Sequence, residues 1–253
     1  MQPLAPPEAQ ASMTALHAFL FNVYPYIAGA FFLMGSLARF DRDEYTWKSD
    51  SSQLLRAGQL RWGSNLFHGG ILFLFFGHLF GQLTPHAVYG LVMTSSQKQL
   101  LAVIAGGVAG GLCFIGLTML LHRRLFDPRI RLTSHRTDIA ILVILWVQLA
   151  IGLSTLPSSL HHAGEPTTML RLAEYLQGIV LLQPNAALVA GVEWHFQLHM
   201  LLGMTIFLLF PFSRLVHVWS GFGTVAYLFR PYQMVRSRRL NVPARQNLPR
   251  RAG

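Results

Sequence analysis

Four histidines inside long apolar stretches are the residues of this sequence best suited to bind a redox metal: His68, His78, His199 and His217. The chain has 11 histidines but one cysteine, Cys113, which excludes a disulfide framework, a Cys₄ iron–sulfur site and covalent haem attachment. Imidazole at membrane depth is costly unless its nitrogens find partners. Two helices with two histidines each could hold two bis-histidine haems. The alternative is four histidines that bond Ser or Thr on neighbouring helices.

The elements that must position these histidines are five long apolar stretches. Apolar residues make up 52% of the chain and charged residues 12%, compared with about 25% charged residues in an average soluble domain. Each stretch approaches the ~20 residues that cross a bilayer. We therefore predict an all-α membrane protein with five transmembrane helices, near residues 14–38, 62–84, 99–121, 139–157 and 194–220.

The distribution of positive charge predicts how these helices are oriented. Of the 20 Lys and Arg residues, only Lys98 and Arg171 lie in the second and fourth connections, and all others lie on the opposite side. Because Lys and Arg accumulate in cytoplasmic loops, we expect the N-terminus outside the membrane and the C-terminus in the cytoplasm. This alternation, rather than nucleic-acid binding, accounts for the net charge of +10.

The antiparallel course of the second and fifth spans predicts which histidines pair. We expect His68 to face His217 near the cytoplasm and His78 to face His199 near the outside. Ten helical residues rise about 15 Å and eighteen about 27 Å, so the two centres are expected about 21 Å apart. We also expect His199 and His217, five turns apart, to share one helix face.

Several residues near the four histidines could support haem. Glycines lie where a flat macrocycle must approach the backbone: Gly69, Gly70, Gly77, Gly81 and Gly203. Arginines near the inner pair are either propionate partners or ordinary cytoplasmic anchors: Arg123, Arg124 and Arg214. Lys98 either binds a propionate or a quinone oxygen, or is a boundary lysine whose charge reaches the interface. His195, one turn before His199, could compete with it as a ligand.

Outside the spans, the sequence divides into a membrane domain and two polar ends. We predict a disordered extension over residues 1–13, a five-helix membrane domain over residues 14–220 and a basic cytoplasmic tail over residues 221–253. Residues 165–183 are amphipathic but too polar to cross, so we expect them to lie along the interface. We expect Pro211 to kink the fifth span.

Six segments of the chain match a known family pattern: VYPYIAGAFFLMGSLARF, YTWKSDSSQ, SNLFHGGILFLFFGHLFGQLTPH, QKQLLAVIAGG, LHRRLFDPRIR and LHMLLGMTIFLLFPFSRLVHVWS. They cover most of residues 22–220 and contain all four histidines. In them the sequence resembles the gamma subunit, or cytochrome b subunit, of membrane-bound respiratory nitrate reductase. It differs from the family in its N-terminal extension, its longer basic tail and Gln197, where a basic residue is expected.

The resemblance implies five helices in a bacterial inner membrane, with a periplasmic N-terminus and a cytoplasmic C-terminus. It also implies two haem b cofactors whose iron is bound by His68 and His217 at the inner haem and by His78 and His199 at the outer one. It also implies a quinol site beside the outer haem, where Lys98 and His78 act in quinol oxidation and Gly77 and Lys98 in quinol binding. The expected partners are an iron–sulfur beta subunit and a molybdenum-containing alpha subunit that reduces nitrate.

We therefore hypothesise that this chain oxidises quinol at the periplasmic side and passes electrons through two haems to the iron–sulfur subunit. Bis-histidine ligation leaves no open iron position, so nitrate reduction belongs to a partner. One alternative is the cytochrome b anchor of a different quinone-linked oxidoreductase. The other is a haem-free transporter or anchor, which predicts acidic residues at membrane depth, whereas we expect almost none beyond Glu193 at an edge.

Overall fold

The computed structural model describes residues 14–42, 57–162 and 164–219, and the regular secondary structure in these ranges is helical. Six main helices organise the molecule, and shorter helical turns join them. They are α1 (Thr14–Arg42), α2 (Ala57–Leu83), α3 (Ser95–Phe126), α4 (Arg136–Ser154), α5 (Thr167–Val180) and α6 (Trp194–Leu209).

Within the described residues, five helical segments are long and apolar enough to cross a membrane, which confirms that prediction. They are Thr14–Arg42, Gly58–Leu83, Ser95–Phe126, Arg136–His161 and Trp194–Phe212. Large apolar side chains such as Met34, Phe80 and Ile104 point outward and are more than half exposed, as a lipid-facing surface requires. The predictions for residues 1–13 and 221–253 concern segments outside the described residues.

Helices α2 and α3 pack through a seam of small residues. A Cβ on Gly70 would lie 2.6 Å from the Cβ of Cys113, so only glycine allows this approach. The buried thiol of Cys113 donates to the carbonyl oxygen of Phe67 at 3.6 Å. Cys113 is therefore a packing residue, and the seam fixes the helix that carries His68 and His78.

Helix α1 packs against α6 and the turn that follows it. The hydroxyls of Tyr24 and Thr205 are hydrogen-bonded at 2.8 Å. Near the other end of α1, Arg39 donates to the carbonyl oxygens of Pro211 at 2.8 Å and Ser213 at 3.0 Å. A Cβ on Gly35 would lie 2.7 Å from Cγ of Pro211. Polar groups of α1 therefore bind the fifth span at both ends.

The fifth span changes from α-helix to a 3₁₀ turn around Pro211, where we predicted a kink, and breaks at Ser213. Helix α6 ends at Leu209, and two 3₁₀ segments follow, Phe210–Phe212 and Arg214–Trp219. Ser213 between them is extended, with φ −117° and ψ 175°. The expectation that His199 and His217 share one face of a continuous helix is therefore wrong, because His217 lies on the second 3₁₀ segment.

Helix α5 is the amphipathic segment that the sequence predicts, and it packs on the ends of the membrane helices. Tyr175 is fully buried and donates its hydroxyl to the carbonyl oxygen of Phe21 at 2.7 Å. Burial, reinforced by nearby Tyr26, raises the pKa of Tyr175 above its ordinary value. Gln177 donates to the carbonyl oxygen of Gln82 at 2.9 Å. Helix α5 thereby links α1 to α2 at the end of the bundle that carries Lys98.

Candidate functional site: two histidine pairs

The fold brings the four membrane histidines together as two pairs. The ring centres of His78 on α2 and His199 on α6 lie 6.2 Å apart, with 39° between the ring planes. The ring centres of His68 on α2 and His217 on the last 3₁₀ segment are also 6.2 Å apart, with 74° between the planes. These are the two pairs that the sequence predicts.

The spacing within each pair suits one iron between two imidazoles. A histidine nitrogen binds a metal at about 2 Å, and the ring centre lies roughly 1 Å further away. An axial pair on haem iron therefore needs ring centres about 6 Å apart, compared with 6.2 Å in both pairs. Histidines that merely packed between helices would have no reason to repeat this separation.

The hydrogen bonds of the four rings fix one tautomer. In each ring Nδ1 lies close to a backbone carbonyl oxygen, which can only accept, so Nδ1 carries the proton. A neutral imidazole in this form keeps its lone pair on Nε2, as metal-binding histidines do. The acceptors are Ser64 at 2.8 Å for His68, Leu74 at 2.7 Å for His78, Gln148 at 3.2 Å for His199 and Arg214 at 2.6 Å for His217.

Three of the five glycines expected to admit a macrocycle face open space. A Cβ on Gly69, Gly77 or Gly81 would meet nothing within 4 Å. The expectation is wrong for Gly70, which packs against α3, and for Gly203, where a Cβ would lie 3.2 Å from Nε2 of Gln148. The open glycines all lie on α2, so the space beside the histidines follows that helix.

Gly152 on α4 is a site residue that the sequence reasoning missed. A Cβ there would lie 2.7 Å from Cε1 of His199, so the histidine ring fits only against a bare backbone. Gln148, one turn earlier, donates Nε2 to the carbonyl oxygen of His199 at 3.0 Å. Because this contact links α4 to α6, no spacing within one stretch of sequence could have indicated it.

A cavity of about 490 Å³ adjoins the His78–His199 pair. It lies among α2, α3, α4, α5, α6 and the short helix after α4, and its lining includes both histidines together with Gly77 and Lys98. The ammonium of Lys98 lies 3.6 Å above the centre of the Tyr89 ring, a cation–π contact that holds the side chain. The fold thus brings Lys98 to the same cavity as Gly77 and His78, although Lys98 follows His78 by 20 positions in the sequence.

The opposite end of the bundle holds a buried carboxylate that corrects the sequence reasoning. Asp138 lies in the fourth span and is 8% exposed, contrary to the expectation of almost no acidic residue beyond Glu193. Its Oδ2 atom lies 3.5 Å from Nη1 of Arg124 and 3.3 Å from Nη1 of Arg214. Two of the arginines considered as propionate partners therefore converge on Asp138. The third arginine considered as a propionate partner, Arg123, is buried, with 2% of its surface exposed.

Neither of two further residues near α6 takes part in the His78–His199 pair. Nε2 of His195 lies 3.0 Å from Oε2 of Glu193, so this nitrogen is close to a carboxylate outside the pair. Gln197 donates to the carbonyl oxygens of Val189 at 3.2 Å and Val192 at 2.7 Å. Gln197 therefore secures the turn before α6.

The fold and the site define a helical membrane protein with two paired-histidine centres. The sequence pattern described as "Nitrate reductase gamma subunit" matches residues 17–238, and the chain belongs to this family. It is 49% identical over 227 residues to the respiratory nitrate reductase 1 gamma chain of Escherichia coli (strain K12), covering 89% of this chain and 100% of that one. It is 36% identical over 222 residues to the nitrate reductase gamma chain of Bacillus subtilis (strain 168), covering 87% and 97%. The resemblance and the assignment to an oxidoreductase subunit are confirmed.

Proposed function

We propose that each histidine pair binds one haem b, and that this chain is the quinol-oxidising membrane subunit of a respiratory nitrate reductase. The observation that carries the proposal is the 6.2 Å ring separation in both pairs, with Nδ1 of every ring bonded to a carbonyl oxygen. Haem b bound at each pair supplies a one-electron carrier, and the chain supplies its ligands, orientation and apolar surroundings.

The end that carries Lys98 faces the periplasm in this proposal, and the end that carries Asp138 faces the cytoplasm. The support is the accumulation of Lys and Arg on the side of Arg124, Arg136 and Arg214, which follows the rule for cytoplasmic loops. Trp194, at the start of α6 on the Lys98 side, is 72% exposed, as expected of an aromatic residue at the membrane–water boundary. The chain is then a multi-pass protein of the bacterial inner membrane.

Quinol binds in the cavity beside His78, with its head group near Lys98 and Gly77. The open backbone at Gly77 admits a flat ring, and the ammonium of Lys98 is a donor for a quinol oxygen. The lining of the cavity is mostly apolar, which suits a lipid-soluble substrate and keeps water from the reacting oxygens.

Electrons leave the chain at the Asp138 end, where the proposed partner is the iron–sulfur beta subunit. That subunit serves a molybdenum-containing alpha subunit, on which nitrate is reduced in the cytoplasm. The His68–His217 pair lies at this end, next to the Arg124–Asp138–Arg214 cluster. The basic residues of this face are suited to a partner with acidic surface charge.

The haem assignment is tested by a reduced-minus-oxidised spectrum with pyridine haemochrome quantitation. We expect two b haems per chain in the native protein and about one in each of the variants His68→Ala and His78→Ala. Ser154→Ala, an exposed residue of the same bundle, is the control and keeps both. Folded protein without haem would reject the proposal and leave a haem-free anchor.

The quinol site is tested with Lys98→Met, which keeps the length of the side chain and removes the donor. A hydrogen bond to a charged group contributes about 1.5–3 kcal/mol, so we expect quinol-driven haem reduction to fall roughly 10- to 100-fold. Haem content and reduction by dithionite are expected to stay native. An unchanged rate with quinol would remove Lys98 from the site.

A further inference from the structure

We propose that Ser158 and Glu193 form the route by which protons leave the quinol cavity. The proposal rests on the quinol oxidation proposed above and assigns the exit of its protons to named side chains. Quinol oxidation releases two protons for every two electrons, and an apolar cavity cannot retain that charge. A connection from the cavity to water is therefore part of the reaction.

The connection begins at the short helix Leu156–His161, which follows α4. Ser158 on this helix lines the cavity and is half-buried. Its hydroxyl donates to Oε1 of Glu193 at 2.9 Å. One hydrogen bond therefore joins the wall of the cavity to a carboxylate outside it.

Glu193 is placed to exchange protons with water. Its side chain is 45% exposed, and the residue immediately precedes α6 and the exposed Trp194. Its second oxygen, Oε2, lies 3.0 Å from Nε2 of His195, without the alignment of a hydrogen bond.

The other polar residues around the cavity serve this role less well. An ammonium such as that of Lys98 has no lone pair, and the amide of Gln99 does not take up a proton at neutral pH. His162 is the competitor, since it lines the cavity and its Nδ1 donates to the carbonyl oxygen of Ser158 at 2.9 Å. The hydroxyl of Ser158, however, is already directed to Glu193, which favours the carboxylate route.

The O–H bond of the quinol breaks as Oγ of Ser158 accepts its proton, and the hydroxyl proton of Ser158 passes to Oε1 of Glu193. Glu193 then releases a proton to water. Haem b held by His78 and His199 would supply the one-electron acceptor, so two such rounds would convert quinol to quinone and release two protons and two electrons in all.

The test uses the intact complex with Glu193→Gln, Ser158→Ala and the double variant. Glu174→Gln is the matched control, because Glu174 is an exposed glutamate on α5 that does not line the cavity. A positioned proton acceptor contributes about 10²–10⁴-fold to a reaction rate. Because water can replace part of this relay, we expect its contribution to lie at or below the lower value. We expect quinol-driven haem reduction to fall about 10- to 100-fold in each single variant.

Two further readouts separate a proton route from a structural role. Haem content, reduction by dithionite and equilibrium binding of a redox-inert quinone analogue are expected to stay native. The double variant is expected to be no slower than the slower single variant, since both residues act in one path. Glu193→Asp, which keeps a carboxylate, is expected to recover part of the rate.

Native quinol-driven rates in Glu193→Gln, or losses that multiply in the double variant, would overturn the proposal. A fall in the rate of quinol-driven haem reduction in His162→Phe alone would overturn the carboxylate route and identify His162 as the proton acceptor. If Glu193→Gln lost haem, the rate of quinol-driven haem reduction in Ser158→Ala would still test the route. A native complex without haem, or one that quinol does not reduce, would instead reject the proposed function.

Discussion

The two histidine pairs have the same ring separation but are built differently. His78 and His199 both lie on regular helices, α2 and α6, and a cavity adjoins them. His68 also lies on α2, but its partner His217 lies on a 3₁₀ segment beyond the break at Ser213. The first pair is positioned by two regular helices and the contacts between them and α4, whereas the second depends on a segment that must be held separately.

Side-chain contacts hold that separate segment at both ends. Arg214 at its start meets Asp138 at 3.3 Å, and Trp219 at its end packs against Phe32 with ring centres 5.6 Å apart. Arg39 binds the two carbonyl oxygens just before the segment. The comparison indicates that changes to helix packing will affect the His78–His199 pair, whereas changes to charged contacts will affect the His68–His217 pair.

The largest effect on quinol-driven haem reduction is expected from Gly152→Val, which displaces a ring of the His78–His199 pair. Its Cβ would lie 2.7 Å from Cε1 of His199, and overpacking of this kind costs about 1–3 kcal/mol or displaces the ring. We expect one haem to be lost, the other to remain, and quinol-driven reduction to stop. Haemochrome quantitation measures this.

Gly111→Ala on α3 is the control for Gly152→Val, since a Cβ at Gly111 meets nothing within 4 Å. It is expected to keep both haems. Two haems with native spectra in Gly152→Val would show that the His78–His199 pair tolerates displacement, and that helix packing does not set its geometry.

Asp138→Asn should produce the next largest effect, at the other pair. The variant leaves Arg124 and Arg214 without the carboxylate that joins them, and removing one partner of a buried ion pair costs about 3–5 kcal/mol. We expect a lower free energy of unfolding and partial loss of the haem at His68 and His217. The haem at His78 and His199 should stay native.

Potentiometric titration sharpens the Asp138 prediction. Two cations that are no longer neutralised favour the reduced haem, so the midpoint potential at the His68–His217 pair should rise. Glu165→Gln, an exposed glutamate at the opposite end, is the control. Equal shifts at both haems would contradict a local role for Asp138.

Sequence reasoning succeeded where one-dimensional patterns carry the information. Hydropathy gave the five spans, and the antiparallel order of α2 and α6 placed His68 opposite His217 and His78 opposite His199. Both patterns depend on runs of apolar residues and on helix direction, which tertiary contacts do not alter. The family match then confirmed the class of protein.

Sequence reasoning failed where a feature depends on contacts between distant segments of the chain. The break at Ser213 needs Arg39, about 170 residues away, to bind the freed carbonyl oxygens. Asp138 can be buried because Arg124 and Arg214 arrive from two other segments. Gly70 is a packing residue only because Cys113 faces it. None of these pairings leaves a signal at a fixed spacing.

The smallest effects are expected from two hydrogen bonds of α1, which compare the two pairs directly. Arg39→Met removes two bonds from a charged donor, worth about 1.5–3 kcal/mol, beside the segment that carries His217. Tyr24→Phe removes one neutral bond to Thr205, and such bonds between membrane helices average about 0.6 kcal/mol. Thermal unfolding in detergent, followed by the absorbance of each haem, measures both. We expect Arg39→Met to release the haem at His68 and His217 at a lower temperature and Tyr24→Phe to change neither haem measurably. A larger effect of Tyr24→Phe would contradict this comparison. The Arg39 bonds beside the 3₁₀ segment would then matter less than one neutral bond between regular helices, and the segment would not be the weaker support.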